Sequence, residues 1–194
     1  YVDWIAGLAQ GQMGNSYTYQ VPVMELVVER LEVTVPLGLG AMLLATVLAL
    51  SMGLFAASRH NKAGDYGVMA ASQLGLAIPN FWFGIILIIV FALILGWAPS
   101  GGFPRWEEGV GRSLAALVLP VAALGFTLAA IFVRLIRSAV LDVLREDFVR
   151  TARAKGLSKG AALRGHVLRN ALIPVITIMG IIFADAMAGT IVIE

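Results

Sequence analysis

The chain has 194 residues, 14 Lys and Arg against 12 Asp and Glu, and a formal net charge of +2. Hydrophobic residues make up 59% of it and charged residues 13%, against roughly 25% charged in an average soluble domain; this composition excludes an ordinary soluble domain and describes an integral membrane protein. With no cysteine, a disulfide framework and a thiolate metal site are excluded as well, and the redox compartment is left open.

The useful unit in such a chain is the spanning segment of about 20 apolar residues. Residues 1–32 carry Asp3, Glu25, Glu29, Arg30 and Glu32 and are expected to form an external segment of interfacial or short helices. Residues 33–194 are expected to form the transmembrane domain, with spans at about 33–58, 67–96, 113–137 and 171–193. The first span is uncharged and carries Ala41, Ala45, Ala49, Gly53 and Ala57 at every fourth place, a row that lets another helix approach closely. The second contains Pro79, a predicted kink, and ends in the turn chemistry of "GWAPSGGFP". The third continues as helix past Arg134 and Arg137, and Pro120 and Pro174 are expected near the starts of the last two, where proline is tolerated. The sequence opens on Tyr1 and stops at Glu194 inside an apolar run, so it is expected to be an internal piece of a longer protein, with a helix missing at each end.

Lys and Arg collect on the cytoplasmic side of membrane proteins. The first loop, 59–65, holds Arg59 and Lys62 against Asp65; the second balances Arg105 and Arg112 with Glu107 and Glu108. Between Arg134 and Arg169 the cations are Arg134, Arg137, Arg145, Arg150, Arg153, Lys155, Lys159, Arg164 and Arg169, opposed only by Asp142, Glu146 and Asp147. Because loops alternate, residues 1–32 are expected outside and residues 59–65 and 138–169 in the cytoplasm.

Within the basic loop, Leu141, Leu144, Phe148 and Ala152 recur at helical spacing and predict an amphipathic helix from Leu141 to Lys155. Gly156 suits a left-handed cap, and Ser158 can cap a second short helix through about Gly165. A helix, a glycine corner and a short helix before re-entry make a compact device for docking a soluble partner; the plain alternative is a topogenic loop at the lipid headgroups.

Other features carry less. "GLSKG" at 156–160 fits the G-x-S-x-G pattern, but a nucleophile elbow requires a strand before it and a histidine partner. His60 and His166 read as solvated or headgroup-facing rather than as metal ligands, and Trp4, Trp82, Trp97 and Trp106 as interfacial anchors. Asp185 differs, because a charge at bilayer depth costs roughly 2.5 to 3.5 kcal/mol on insertion scales and should face a bundle interior or a watery path. Lining of a translocation path, a hydrogen bond to a neighbouring helix and an external-interface position are its three readings.

The segment "RTARAKGLSKGAALRGHVLRNALIPV" resembles the cytoplasmic EAA loop of permease subunits of binding-protein-dependent ABC importers. Arg150, Thr151 and Ala152 stand at the signature triplet and Gly156 at its glycine; the glutamate and first alanine are replaced, and Leu168-Arg169 stands where Leu-Pro is usual. Both departures, together with "LGLAIPNFWFG", "GWAPSGG" and the external "GQMGNS", are similar to the dipeptide, oligopeptide and nickel group, in the subunit type with a long external segment after its first helix. The resemblance implies an all-α polytopic bundle of the type I importer class that forms a path for peptides, nickel or similar solutes in the cell (inner) membrane. It implies a second permease subunit, as a heterodimer, two cytoplasmic ATPases that hold the ATP and magnesium, and an external solute-binding protein, with lipid around the bundle. The chain itself would bind no cofactor and catalyse no reaction, and no nucleic-acid partner is expected. The ATPase-coupling residues it implies, across 150–166 within the loop 142–169, are Thr151, Ala152, Ala154, Gly156, Leu157, Ser158, Lys159, Leu163 and Arg164, and Asp185 and Asn80 are candidates for the path. The competing class is an ATP-independent channel or secondary carrier with a merely topogenic loop.

Overall fold

The structure, a computed structural model, describes residues 2–189; the side chains of residues 2–4, 9, 159, 164, 188 and 189 fall outside that description, so the anchor expected at Trp4 and the last residues of the fourth span do too. The described residues are helical and connected by turns, with a single isolated bridge between Asn15 and Pro22. The strand that a nucleophile elbow needs is absent from them.

α1 (Val2–Ala9) leads into a tight loop, closed by Ser16 N–H donating to the Val21 carbonyl at 2.9 Å. α2 runs from Val23 to Ser58, so it begins well before the apolar run expected to start near 33. The reason lies in "VMELVVERLE": charges keep this stretch out of hydrocarbon but do not oppose helix, Pro22 precedes the first turn and Glu25 sits within it, where the helix dipole favours an anion. Helix and membrane span are thus different lengths here.

The chain turns at Arg59 to Lys62 into α3 (Ala63–Ala77), and α4 (Asn80–Leu87) continues as a π-helical stretch through Ile94. The expected second span is a broken one: α3 and the 80–94 segment meet at 95°. Pro79 lacks an N–H and forces its predecessor out of the helical region, and Ile78 is extended at φ −91° and ψ 120°. Gly96, at φ +65°, ends the segment, and Trp97 N–H caps it on the Phe91 carbonyl at 2.8 Å.

After a 3₁₀ turn at Trp106–Glu108, α5 covers Val110–Val143. Both α5 and the last helix start earlier than their apolar spans, so Pro120 and Pro174 lie inside helices rather than in their first turns; membrane helices tolerate this because neighbouring helices and local adjustments re-satisfy the freed backbone groups. Beyond a break at residues 144–146 come α6 (Asp147–Ala154), α7 (Lys159–Ala162), a π turn at 163–167 and α8 (Leu168–Gly189). The last three join into one long helix, Gly160–Met187.

α5 is the centre of the bundle, with Leu124, Leu128, Phe132, Val133, Ile136 and Val140 buried along it. The small-residue ladder of α2 packs against it, and Ala41, Ala45 and Ala49 are fully buried. At Gly53 an added Cβ would stand 2.9 Å from Ile136 Cγ2 and 3.1 Å from the Val133 carbonyl; at Gly125 of α5 it would meet Leu44 and the Ala41 carbonyl. The neighbour that the ladder anticipates is therefore a helix of the same chain. α8 covers another side of α5 through Ala171, Val175 and Met179.

Candidate functional site

The basic segment folds as a corner whose backbone bonds can be followed one by one. α6 ends at Ala154; Gly156, at φ +95°, donates its N–H to the Arg153 carbonyl at 3.0 Å, and Leu157 donates to the Ala152 carbonyl at 3.3 Å. These are the two bonds of a Schellman motif, which satisfies the last carbonyls of a helix through a left-handed residue that only glycine adopts without strain. Immediately after it, Ser158 Oγ accepts the Ala161 N–H at 3.3 Å and its carbonyl accepts the Ala162 N–H at 3.0 Å, an N-cap on the helix that becomes the last span. One glycine and one serine thus stop a helix and start another within a few residues.

The structure differs from the expected amphipathic helix in two ways. Its helix starts at Asp147, with Glu146 extended at its N-cap, rather than at Leu141. Its buried residue is Val149, packed in the bundle core with Val167, whereas Phe148 is 43% exposed. The spacing of Leu141, Leu144, Phe148 and Ala152 is compatible with one helix, but the turn at 144–146 resets the register between α5 and α6. The expected second short helix likewise does not stop near Gly165; a π turn carries it into α8 without interruption.

Among the expected coupling residues, Thr151, Ala154, Gly156 and Ser158 are exposed, Ala152, Leu157 and Leu163 are half-buried, and the side chains of Lys159 and Arg164 lie outside the described residues. Thr151 Oγ1 donates to the Asp147 carbonyl at 2.9 Å. The corner therefore rests on an apolar underside of Val149, Ala162 and Val167 and presents a small, basic and hydroxylated outer face.

Between the first loop and α5 lies an ion pair that is not evident from sequence spacing. Asp65, its side chain 1% exposed at the start of α3, accepts from both Nε and Nη2 of Arg137 on α5, the latter at 2.7 Å, and from the Asn61 N–H at 2.9 Å. His60 Nδ1 lies 3.3 Å from the same carboxylate and 3.1 Å from Arg137 Nη2, so this histidine is part of a cluster rather than simply solvated. A bidentate fork satisfies a buried carboxylate better than a point charge does. The signal available in sequence was a lone acid in the first loop and an arginine late in an apolar helix, counted for orientation but not paired.

These bonds also sort the loops. Asp65 and Arg137 hold the first loop beside the far end of α5, while Trp106 Nε1 donates to the Glu32 carbonyl at 3.1 Å and Arg105 approaches Glu29 at 4.0 Å at the opposite end. Ser113, buried at the start of α5, donates to the Pro104 carbonyl at 3.1 Å and fixes the second loop there. The two candidate path residues are not joined by any bond: Asn80 Oδ1 accepts its own neighbour's N–H, from Phe81, at 2.8 Å at the start of α4, and Asp185 is exposed on α8, beside the buried Ala186, with no hydrogen-bonding partner among the described residues.

A helical bundle with a broken span and a capped, basic corner has counterparts among known proteins. Residues 49–194 match the family described as binding-protein-dependent transport system inner membrane component. The chain belongs to that family. It is 41% identical over 197 residues to the oligopeptide transport system permease protein AppB of Bacillus subtilis (strain 168), covering 100% of this chain and 62% of that protein. It is 39% identical over 214 residues to the di/tripeptide transport system permease protein DppB of Pseudomonas aeruginosa (strain UCBPP-PA14), covering 100% and 64%. Identity to the oligopeptide transport system permease protein OppB of Escherichia coli (strain K12) is 37% over 195 residues, covering 100% and 62%. The chain thus spans less than two thirds of the length of these relatives. The family places it in the inner membrane as a multi-pass helical component, in agreement with the three long apolar helices and one broken span among the described residues. The matched region contains the corner, the ion pair and the elbow at Pro79 in full.

Proposed function

We propose that the chain is part of a permease subunit of an ATP-driven importer, forms a path for peptides and is coupled to a cytoplasmic ATPase through residues 150–166. The observation that carries this reading is the corner at Gly156 and Ser158, built by a Schellman cap followed at once by an N-cap, whose second helix is continuous with the last span. A load applied to the outer face of such a corner tilts that span as a rigid lever, since no loop intervenes to absorb it. Thr151, Ala154, Gly156, Ser158, Lys159 and Arg164 form the ATPase-facing surface, with Ala152, Leu157 and Leu163 bracing it from beneath. The exposed Phe148 extends the same surface with an apolar group that the bundle leaves uncovered.

The names of the relatives support peptides as the solute class, with nickel as the alternative within the group. The working assembly would add a second permease subunit, two ATPases holding ATP and magnesium, and an external solute-binding protein. Residues 1–32 and the loop around Ser100 face outward and the corner faces the cytoplasm. Asp185 and Asn80 line the path, the former because a carboxylate at that depth persists beside water or a partner.

Two experiments test this reading. In full-length protein free of other cysteines, Ser100→Cys should react with an impermeant thiol reagent on whole cells and Ser158→Cys only after lysis; reaction of both on whole cells overturns the orientation. Membranes carrying Gly156→Val, or Lys159→Glu with Arg164→Glu, should retain less of the co-expressed ATPase and import less peptide at equal permease levels. Normal retention and uptake in both would favour a channel or carrier with a topogenic loop. For the path, Asp185→Asn should alter uptake of cationic peptides with assembly intact.

A further inference from the structure

Phe148 is the large apolar group of α6 that the bundle does not use. Val149 beside it is 1% exposed and packs in the core with Val167, whereas Phe148 stands 43% exposed, about 100° further round the same short helix. Lipid tails do not account for the difference. The uncharged run of α5 ends at Val133, and the helix then continues from Arg134 to Val143, about 15 Å along its axis, before the turn that leads to α6. Charged groups stand on both sides of the ring, with Arg145, Glu146 and Asp147 exposed before it and Arg150 exposed after it. An exposed aromatic ring in such a setting is the kind of group that a protein partner buries at the centre of an interface.

The charge around the ring says which surface accepts it. Arg150, Arg153 and Lys155 are exposed on α6 and its cap. Asp147 approaches Arg150 at 3.3 Å, but with side chains 94% and 73% exposed this i, i+3 pair is of the kind that contributes little. Arg153 and Lys155 have no ion-pair partner among the described residues. Phe148, Thr151 and Lys155 fall at i, i+3 and i+7 and so share a face of the helix, which puts a ring, a hydroxyl and an ammonium in line toward the corner at Gly156.

We propose that Phe148 is the anchor of the docking surface: its ring enters an apolar pocket on the cytoplasmic ATPase, and acidic side chains around that pocket answer Arg150, Arg153 and Lys155. This rests on the reading of the corner as the ATPase-facing surface, and adds to it the residue that holds the partner and the chemistry of the partner's pocket. The two kinds of group do different work. Burial of the ring supplies affinity that salt does not screen, whereas the cations at the rim steer the encounter and fix its register, and salt weakens them.

The test uses the full-length permease in inside-out membrane vesicles, stripped of the co-expressed ATPase and then titrated with that ATPase in purified form. Phe148→Ala should weaken binding about tenfold, as loss of an interface anchor does, and Phe148→Leu, which keeps an apolar group, should recover most of the loss. Raising salt should weaken binding to the parent, and Arg153→Gln with Lys155→Gln should flatten that dependence. In protein free of other cysteines, Phe148→Cys should react fast with an impermeant thiol reagent in stripped vesicles and slowly once the ATPase is added. Saturable binding to the parent that Phe148→Ala leaves unchanged overturns the anchor while the coupling reading stands; no saturable binding to the parent overturns both. Slow reaction of the Phe148→Cys variant before the ATPase is added means that lipid or another subunit covers the position, and binding that salt leaves unchanged means that the pocket has no acidic rim; either result overturns the proposal. Val149 carries the contact with the core, so Phe148→Ala leaves the bundle folded, and recovery by Phe148→Leu checks this.

Discussion

α5 meets two partners in opposite ways. Against α2 it is packed closely along one face: alanines at every fourth place and Gly53 bring the backbones so close that even a methyl group at Gly53 would collide with Ile136 and the Val133 carbonyl. Against α3 and α4 it leaves a half-open apolar hollow, the buried Ser72 hydroxyl without a partner and a helix broken at Pro79. In membranes, where lipid tails are as apolar as the core, close packing rather than hydrophobic burial holds helices together. The α2–α5 contact is therefore the closest-packed part of this bundle, and α3 is tied to α5 at its start by the Asp65–Arg137 pair.

The comparison can be broken hardest at that pair. Arg137→Leu leaves Asp65 buried without its partner and should destabilise the full-length protein by about 3 to 5 kcal/mol, seen as a large fall in melting temperature in detergent. The double variant Asp65→Leu with Arg137→Leu should recover much of the loss; if it is as unstable as the single variant, the pair is not what ties α3 to α5. On the other side of α5, Gly53→Val should cost about 1 to 3 kcal/mol through overpacking, and because the obstructing atom at 3.1 Å is backbone, the amount of folded protein recovered from membranes should drop. An unchanged yield would mean that the α2–α5 contact opens freely.

At the corner, Gly156→Val should cost about 1 to 2 kcal/mol for a left-handed β-branched residue, and hydrogen exchange should rise at Leu157 and Gly156, whose N–H groups carry the motif. The same substitution at Gly160, which lies in a helix, should leave those amides protected. The smallest effect is expected in the elbow, where Ser72→Ala loses no bond and should change stability by no more than about 0.5 kcal/mol, or raise it slightly. A loss well beyond that, measured by thermal unfolding, would show that the hydroxyl is paired and the two sides of α5 are more alike than described.

Several of these features are legible in the residues alone. The ladder at 41, 45, 49, 53 and 57 announces close approach because its period matches the helix, and Gly156 followed by Ser158 announces a stop and a start because each residue solves a local backbone problem. Helix starts are less legible: α2 begins at Val23, since hydropathy marks where hydrocarbon begins and not where hydrogen bonding does. The register of α6 is hidden for a related reason, as a turn of three residues leaves helical spacing intact on both sides while rotating the buried face from Phe148 to Val149.

Composition, period and turn chemistry by themselves determined that this chain is a polytopic helical membrane protein and where its corner falls, because both depend on contacts within one or two turns or on the sum of side chains facing lipid. Only the tertiary structure decided that the ladder's neighbour is α5, that Asp65 reaches Arg137 across 72 positions of sequence, that Pro79 breaks its span by 95° rather than kinking it, and that the buried Ser72 hydroxyl is left without a partner. Each of those depends on how far a second helix approaches, and that distance is fixed by the packing of the whole bundle rather than by any stretch of it.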